Sequence, residues 1–339
     1  MSRFTARAVA LAAALVILTP AGQALAWGAT GHRLIGQAGV ASLPPELPPF
    51  LRTPGVVQDI GELAREPDRW RDAGRTHDTT RDPAHFVDVD DNGRVLGGPD
   101  LNGLPTTRTA YETALRLAGS DTTRAGYLPY AIVDGWQQLT KDFAYWRVLK
   151  AAVPLERDPS HKAWLQHDLA RRERLTIVDL GVWAHYVGDA SQPMHVSVHY
   201  NGWGVYPNPL GFTQDKVHAA FEGEYVRRFV SAEQVRAAMT PLKPCDGPIE
   251  PCIATYLSAT NDTVEPYFTL QQAGGFGGDD PRGQAFARER VAAGASALRD
   301  LVVAAWRASA RGSVGYPAVT VDQVVSHHVD PFDALHGED

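Results

Sequence analysis

Apolar residues recur three and four positions apart over much of the chain, a period that is typical of amphipathic α-helices. The clearest stretch covers 131–153, where Ile132, Trp136, Leu139 and Phe143 share one face. The same period predicts further helices at 27–40, 57–71, 106–118, 160–188, 215–230 and 285–310. Segments with the alternating pattern of β-strands are few and short. We therefore predict an all-α fold, with 27–339 as a single compact multi-helix domain because no linker separates a second one.

Residues 1–26 have the layout of a secretory signal peptide. Two arginines precede the apolar run 8–18, and a small-residue A-x-A cleavage site ends at Ala26. The apolar run is short for a membrane span, and an uncleaved membrane anchor is the alternative interpretation. We predict cleavage after Ala26, which makes Trp27 the first residue of the mature chain and places the protein in the periplasm or outside the cell.

The charge of the mature chain limits its partners. The formal net charge of −7 becomes −9 once Arg3 and Arg7 leave with the signal peptide, which contains no acidic residue. A protein that binds duplex DNA tightly has a basic face, which this composition does not favour. Bound metal ions could still supply local positive charge for a phosphodiester substrate.

The two cysteines, Cys245 and Cys252, flank a Pro- and Gly-containing segment, 246–251. Outside the cytosol, two cysteines this close in a loop favour a local disulfide, which we predict here. A metal-binding pair is the alternative, although the spacing differs from a C-x-x-C motif.

The segment 184–195 contains the most specific chemistry in the sequence. His185 and Asp189 are four positions apart near the end of a predicted helix, so both side chains lie on one face within reach of one ion. Gly188 and Pro193 are expected to break the helix, which lets His195 turn back towards the same site.

Further histidines and acids add to this segment. His218 and Glu222 form a second pair four positions apart; alone, such a pair is more often a solvated helix face. Asp68 and His85 precede both pairs, and their ordinary roles are a helix-end acid and a buried core histidine. Asp72 is the alternative to Asp68, which we prefer because of its Pro-Asp-x-x-Arg setting.

The predicted mature amino terminus offers ligands as well. The α-amine and carbonyl oxygen of Trp27 could chelate one ion, and His32 follows one and a half helical turns later; the ordinary interpretation of Trp27 is a core residue. Histidine, carboxylate and amine ligands without thiolate suit zinc. The whole set is too large for one tetrahedral ion and about right for three: Trp27, His32, Asp68, His85, His185, Asp189, His195, His218 and Glu222.

This set resembles the zinc-dependent S1/P1 nuclease and bacterial phospholipase C family, from Trp27 to about Glu222. The resemblance implies an all-helical secreted enzyme with three Zn²⁺ ions. By position, it assigns one zinc to Asp68, His85, His185 and Asp189, a second to His195, His218 and Glu222, and a third to Trp27, His32 and Asp189, which bridges to the first.

The resemblance also implies roles around the metal ions. Asp88 corresponds to the acid that orients the attacking water, and Arg71 to a basic residue near the scissile phosphate. Phe86 corresponds to an aromatic that stacks on a nucleobase. Glu222 stands where the nucleases usually have Asp and the phospholipases have Glu. Residues 201–204 also differ from the nuclease pattern.

The resemblance therefore implies a hydrolase that converts single-stranded DNA, RNA and 3′-nucleotides to 5′-phosphates. Phe86-x-Asp88 favours this nuclease function, whereas Glu222 favours the alternative, a phospholipase C acting on phospholipid head groups. A third possibility is an exported zinc-binding protein without catalytic activity. We expect a monomer with no stable membrane anchor.

Overall fold

The predicted all-α fold is confirmed in the computed structural model, which describes residues 27–337. The predicted signal peptide lies outside the described residues and stays a prediction. In chain order, the α-helices of the described part are α1 Gly28–Ala41, α2 Pro54–Leu63, α3 Glu66–Arg69, α4 Arg75–Arg81, α5 Arg108–Leu117, α6 Thr122–Ala125, α7 Leu128–Leu155, α8 Pro159–Asp189, α9 Val226–Phe229, α10 Ala232–Ala238, α11 Ile249–Asn261, α12 Val264–Gln272, α13 Pro281–Ser309, α14 Val321–Val325 and α15 Phe332–His336.

Shorter elements connect these helices. Short 3₁₀-helices cover Pro49–Arg52, Asp82–His85, Leu101–Gly103 and Pro193–His195, and Ala220–Tyr225 forms a π-helix. The strands β1 Ser313–Val314 and β2 Val319–Thr320 pair antiparallel, with Val314 opposite Val319. The two-residue length of these strands agrees with the scarcity of alternating patterns in the sequence.

The packing of α1 and α8 brings distant parts of the chain together. α7 and α8 pack along each other, and Arg172 of α8 pairs with the buried Asp142 of α7 at 2.8 Å. α1 packs against α2, α8 and α13, and it buries Ile35 and Val40 completely. Burial of such a side chain contributes about 1.5–3 kcal/mol, so this contact fixes α1 beside the carboxyl-terminal end of α8.

Two glycines allow close backbone approach at this junction. A Cβ atom at Gly188 would lie 3.3 Å from Nδ1 of His32. A Cβ atom at Gly28, which has a φ of +40°, would lie 3.1 Å from the carbonyl oxygen of Glu222. Gly188 therefore lies inside α8 and permits contact with α1, so the prediction that it breaks the helix is wrong.

Two predicted helices differ in the structure. The prediction of one helix over 57–71 is wrong, because α2 ends at Leu63 and α3 begins at Glu66. Pro67 has no N–H to donate and so occupies the first turn of the new helix. In the predicted helix over 215–230, helical structure begins at His218 and continues as the π-helix and α9.

Two further features concern the whole chain. The predicted disulfide between Cys245 and Cys252 is confirmed, and it joins α11 to the segment before it. Among the described residues, no helix combines the length and apolar character that crossing a membrane requires.

Candidate metal centre

Three groups of buried or nearly buried side chains have the composition of metal sites. Within each group, the nitrogen and carboxylate oxygen atoms lie within 4.8 Å of one another. The groups are His32, His185 and Asp189; Asp68, His85 and His185; and His195, His218 and Glu222. His185 belongs to two of them, so the first two groups adjoin.

The carboxylate of Asp189 faces both adjoining groups. Its Oδ1 atom lies 3.5 Å from Nε2 of His32. Its Oδ2 atom lies 3.2 Å from Nδ1 of His85 and 3.3 Å from Nε2 of His185. His185 and Asp189 lie one turn apart on α8, which explains why both reach the same place. The two oxygens could therefore bind two different ions.

Asp68 completes the second group. Its Oδ1 atom lies 4.0 Å from Nδ1 of His85, 3.9 Å from Nε2 of His185 and 3.4 Å from Nε of Arg71. Asp72, the alternative first acid, is exposed and belongs to none of the three groups found among the described residues. The geometry therefore favours Asp68 as the candidate ligand from this part of the chain.

The third group forms where the π-helix meets the turn after α8. Nε2 of His218 lies 2.7 Å from Oε2 of Glu222, and Nε2 of His195 lies 3.8 Å from the same oxygen. The Gln192 side-chain amide also donates to Oε2 of Glu222, at 3.3 Å. Sequence reasoning did not assign a role to Gln192, although it lies within the segment 184–195.

Backbone carbonyls orient two of the imidazoles. Nδ1 of His185 donates to the carbonyl oxygen of Ala64 at 2.8 Å, and Nδ1 of His195 donates to that of His85 at 2.6 Å. A proton on Nδ1 leaves Nε2 with a lone pair, which is the form that binds a metal ion. In both rings, Nε2 is the atom that points to the other ligands of its group.

Burial controls the protonation of these groups. It lowers the pKa of His185 to about 4 and that of His85 well below its usual value, so both rings are neutral near pH 7. Burial raises the pKa of Asp68 and Asp189. Burial also opposes ionisation of Glu222, but His218 and His195 outweigh it and hold the pKa of this carboxyl below its usual range.

Several buried ligand atoms make no hydrogen bond of good geometry within residues 27–337, although Nε2 of His218 lies close to Glu222. They are Oδ1 of Asp68, Oδ1 of Asp189, Nε2 of His195, Nε2 of His218 and Oε1 of Glu222. An unsatisfied buried polar atom costs about 1–3 kcal/mol, and a cation held between such atoms would remove this cost. The donor set, nitrogen and carboxylate oxygen, fits zinc.

His199 shows how a structural histidine differs. It is also buried, but Nδ1 lies 2.7 Å from the carbonyl oxygen of Trp203 and Nε2 lies 2.8 Å from Oδ1 of Asp91. Both ring nitrogens therefore have protein partners. A buried Nε2 atom without a hydrogen bond, as in His195 and His218, is therefore not a feature of every buried histidine in this fold.

Trp27 is completely buried at the start of α1. Its indole Nε1 donates to the carbonyl oxygen of Gly188 and to Oγ of Ser191, both at 2.9 Å. Its own carbonyl oxygen accepts the first hydrogen bond of α1, from Gly31. The indole thus anchors the beginning of α1 to the end of α8, beside His32 and Asp189. The role of its α-amine as a ligand stays a prediction.

A cavity of about 400 Å³ opens onto the metal groups. His85, His195 and His218 line it, so two groups face the same space. The three residues with expected catalytic or substrate roles, Arg71, Phe86 and Asp88, line it too. Sequence reasoning missed the remaining residues that line this cavity, which are Asp82, Arg124, Met194 and Tyr200.

Of the two acids that line this cavity, Asp88 has the larger shift of its pKa. Burial raises its pKa to about 8. Its backbone is fixed, because its N–H donates to the carbonyl oxygen of Ala125 and its carbonyl oxygen accepts from Leu96. A carboxyl group with a pKa near neutrality can both accept and release a proton, as general acid–base catalysis requires.

No protein-family model and no curated protein matches the chain. Among solved structures, the crystal structure of the alpha-toxin of Clostridium perfringens from an avian strain is similar at 14% sequence identity. The match covers 84% of this chain and 67% of the toxin chain, with a TM-score of 0.39. A likeness this distant is no basis for assigning a substrate.

Proposed function

We propose that this chain is a zinc-dependent phosphodiesterase that hydrolyses single-stranded nucleic acids and 3′-nucleotides to 5′-phosphates. One observation carries the proposal: histidines from two metal-type groups share a cavity with Arg71, Asp88 and Phe86. This one cavity therefore brings together metal ligands, a cation for phosphate, a proton acceptor and an aromatic surface.

The three groups would hold the zinc ions. Asp68, His85 and His185 form one group, with Oδ2 of Asp189 beside them, and Oδ1 of Asp189 faces the neighbouring group with His32. The third group consists of His195, His218 and Glu222. When bound, zinc supplies Lewis-acid charge and a nucleophilic water near neutral pH.

The residues of the chain would perform the remaining tasks. Asp88 accepts the proton of the attacking water, for which its raised pKa suits it. Arg71, which is largely buried beside Asp68, neutralises the phosphate oxygens. Phe86 provides a ring on which an unstacked base can stack, and this accounts for a preference for single strands.

A phospholipase C is the second candidate. Glu222, buried with His195 and His218, is the observation that favours it, since the phospholipases carry Glu at this position by resemblance. The two candidates share their metal ligands, so the ligand groups alone do not separate them. Substrate preference separates them directly.

The test uses the mature protein loaded with zinc. Single-stranded DNA, RNA, a 3′-nucleotide, phosphatidylcholine vesicles and bis(p-nitrophenyl) phosphate are assayed with and without a zinc chelator. The proposal expects rapid, chelator-sensitive hydrolysis of the nucleic acids and the 3′-nucleotide. Rapid turnover of phosphatidylcholine alone would establish the phospholipase instead. Absence of any hydrolysis, or full activity in chelator, would overturn the proposal.

A further inference from the structure

A second pocket adjoins the cavity beside the metal groups. This pocket, of about 340 Å³, shares Phe86 and Asp82 with the first cavity. Thr123 lines the second pocket and the next residue, Arg124, lines the first. The two spaces thus adjoin along Phe86 and along α6.

The second pocket combines hydrogen-bonding side chains with apolar surface. Besides the two shared residues, it is lined by Arg75, Asp78, Thr79, Pro83 and Thr123. A lipid acyl chain would leave these hydrogen-bonding groups without partners, which costs free energy. A sugar and a base of a polynucleotide offer donors and acceptors to the same groups, so the pocket fits a nucleic acid better than a lipid tail.

Asp82 lies where the two pockets meet. It begins the 3₁₀-helix Asp82–His85, which also carries the candidate ligand His85, and it lines both pockets beside Phe86. Its side chain is half-buried. An ionised carboxylate only accepts hydrogen bonds, so a partner at this place must be a donor.

The electrostatics agree with this requirement. Burial raises the pKa of Asp82, whereas the charge of Arg71 lowers it. The carboxyl group has therefore lost part of its hydration, and a neutral donor from a ligand would replace it.

We propose that Asp82 selects bases that carry an exocyclic amino group when the base stacks on Phe86. This inference rests on the proposed nuclease function. An aspartate accepts from the N4 amino group of cytosine, whereas thymine presents its O4 acceptor at the equivalent position. Cytosine is therefore bound and thymine is repelled, while the scissile phosphate lies at the metal groups.

The experiment compares oligo-dC and oligo-dT of equal length as substrates of the zinc-loaded mature protein. The wild type hydrolyses oligo-dC with a kcat/KM about 5-fold higher than that for oligo-dT. This ratio of the two kcat/KM values is at the low end for a single base contact, because Asp82 is partly exposed. Asp82→Ala brings the ratio to about one. Asp82→Asn also offers a donor to thymine, so it lowers the ratio at least as far. Asp59→Asn removes an equal charge at an exposed position outside both pockets and keeps the wild-type ratio.

Two more measurements separate the possible failures. Titration with 5′-dCMP and 5′-dTMP reports base preference in binding, and Asp82→Ala abolishes it. Bis(p-nitrophenyl) phosphate carries no base, so it tests the metal-dependent diesterase chemistry without any base contact. If the wild type hydrolyses neither oligonucleotide, the proposed function fails and the inference fails with it, whether or not the diester is hydrolysed. If the diester is hydrolysed but the wild-type ratio is near one, or survives both Asp82 variants, only the inference is overturned.

Discussion

The imidazole of His32 on α1 stacks on that of His185 on α8, with ring centroids 3.9 Å apart and 15° between the ring planes. This contact joins the beginning of the described chain to its central helix. Because His185 also belongs to the group with Asp68 and His85, a single histidine connects two candidate metal sites.

We expect His185→Ala to lower the zinc content more than His218→Ala does. His185 contributes a ligand atom to two groups, whereas His218 contributes to one. Zinc per chain is measured by elemental analysis after dialysis. His199→Gln is the matched control, since both nitrogens of this buried histidine already have protein partners, and it should retain all of its zinc. Equal zinc content in the wild type and His185→Ala would contradict the assignment.

A residue retained before Trp27 is expected to remove zinc and activity together. Such an extension converts the α-amine into an amide, which is a poor metal ligand. Mutation of a residue that only hydrogen-bonds to a metal ligand typically costs about 10- to 100-fold in metal affinity or activity. Loss of a ligand itself should cost at least as much. Zinc content and hydrolysis rate are compared with those of the correctly processed chain.

Trp27→Phe serves as the control for this extension. It keeps the free amine but loses the indole hydrogen bonds to Gly188 and Ser191. We expect it to lower the free energy of unfolding by about 1–3 kcal/mol while the zinc content stays unchanged. An extended chain with wild-type zinc and rate would show that the amine is not a ligand.

Arg71→Ala should reduce kcat/KM about 100-fold, because a positioned charge near the phosphate is lost. Arg69→Ala is the control from the end of α3, two residues earlier, since Arg69 is largely exposed and pairs with Glu66 at the surface. Both variants lose one positive charge, so a general charge effect would change them equally. Comparable rates for the two variants would remove Arg71 from the mechanism.

Asp88→Asn should reduce kcat about 100- to 10,000-fold without changing the zinc content, because the proton acceptor is lost. In the wild type, the rate should rise with pH until Asp88 is ionised. Burial places its pKa at about 8, and cations bound beside it favour the ionised form, so the midpoint should lie below this value. A pH–rate profile that Asp88→Asn leaves unchanged in shape would contradict this role.

The same pKa predicts a pH dependence of stability in the zinc-free protein. Between about pH 4 and pH 8, the folded state keeps a proton on Asp88 that the unfolded chain releases. The contribution of Asp88 to stability is therefore full below about pH 4 and is lost as the pH rises towards 8. The difference in unfolding free energy between the wild type and Asp88→Asn, measured in urea across this range, should follow that loss.

Local spacing explains which parts of the site the sequence could predict. His185 and Asp189 are one helical turn apart, so their common direction follows from α8 alone. His218 and Glu222 also meet, although a π-helix begins between them. The approach of these pairs to Asp68 depends on helix packing, which spacing does not encode, and only the resemblance suggested it.

Other features have weaker local signals. Asp82, Arg124 and Tyr200 reach the cavity from a 3₁₀-helix, α6 and a loop, and no periodic pattern links them. The helices α11 and α12 were not predicted, although each carries a proline in its first turn, where proline is tolerated. Read as helix starts, Pro251 and Pro266 could have indicated both helices.

Anomalous X-ray scattering at the zinc absorption edge, from crystals of the mature protein, tests the trinuclear centre most directly. The account predicts three peaks, one in each ligand group, with histidine nitrogens at about 2.0–2.1 Å and carboxylate oxygens at about 2.0–2.2 Å. The peak beside His32 should also contact the α-amine of Trp27. An absence of peaks at these three groups, in protein that hydrolyses the diester, would contradict the account.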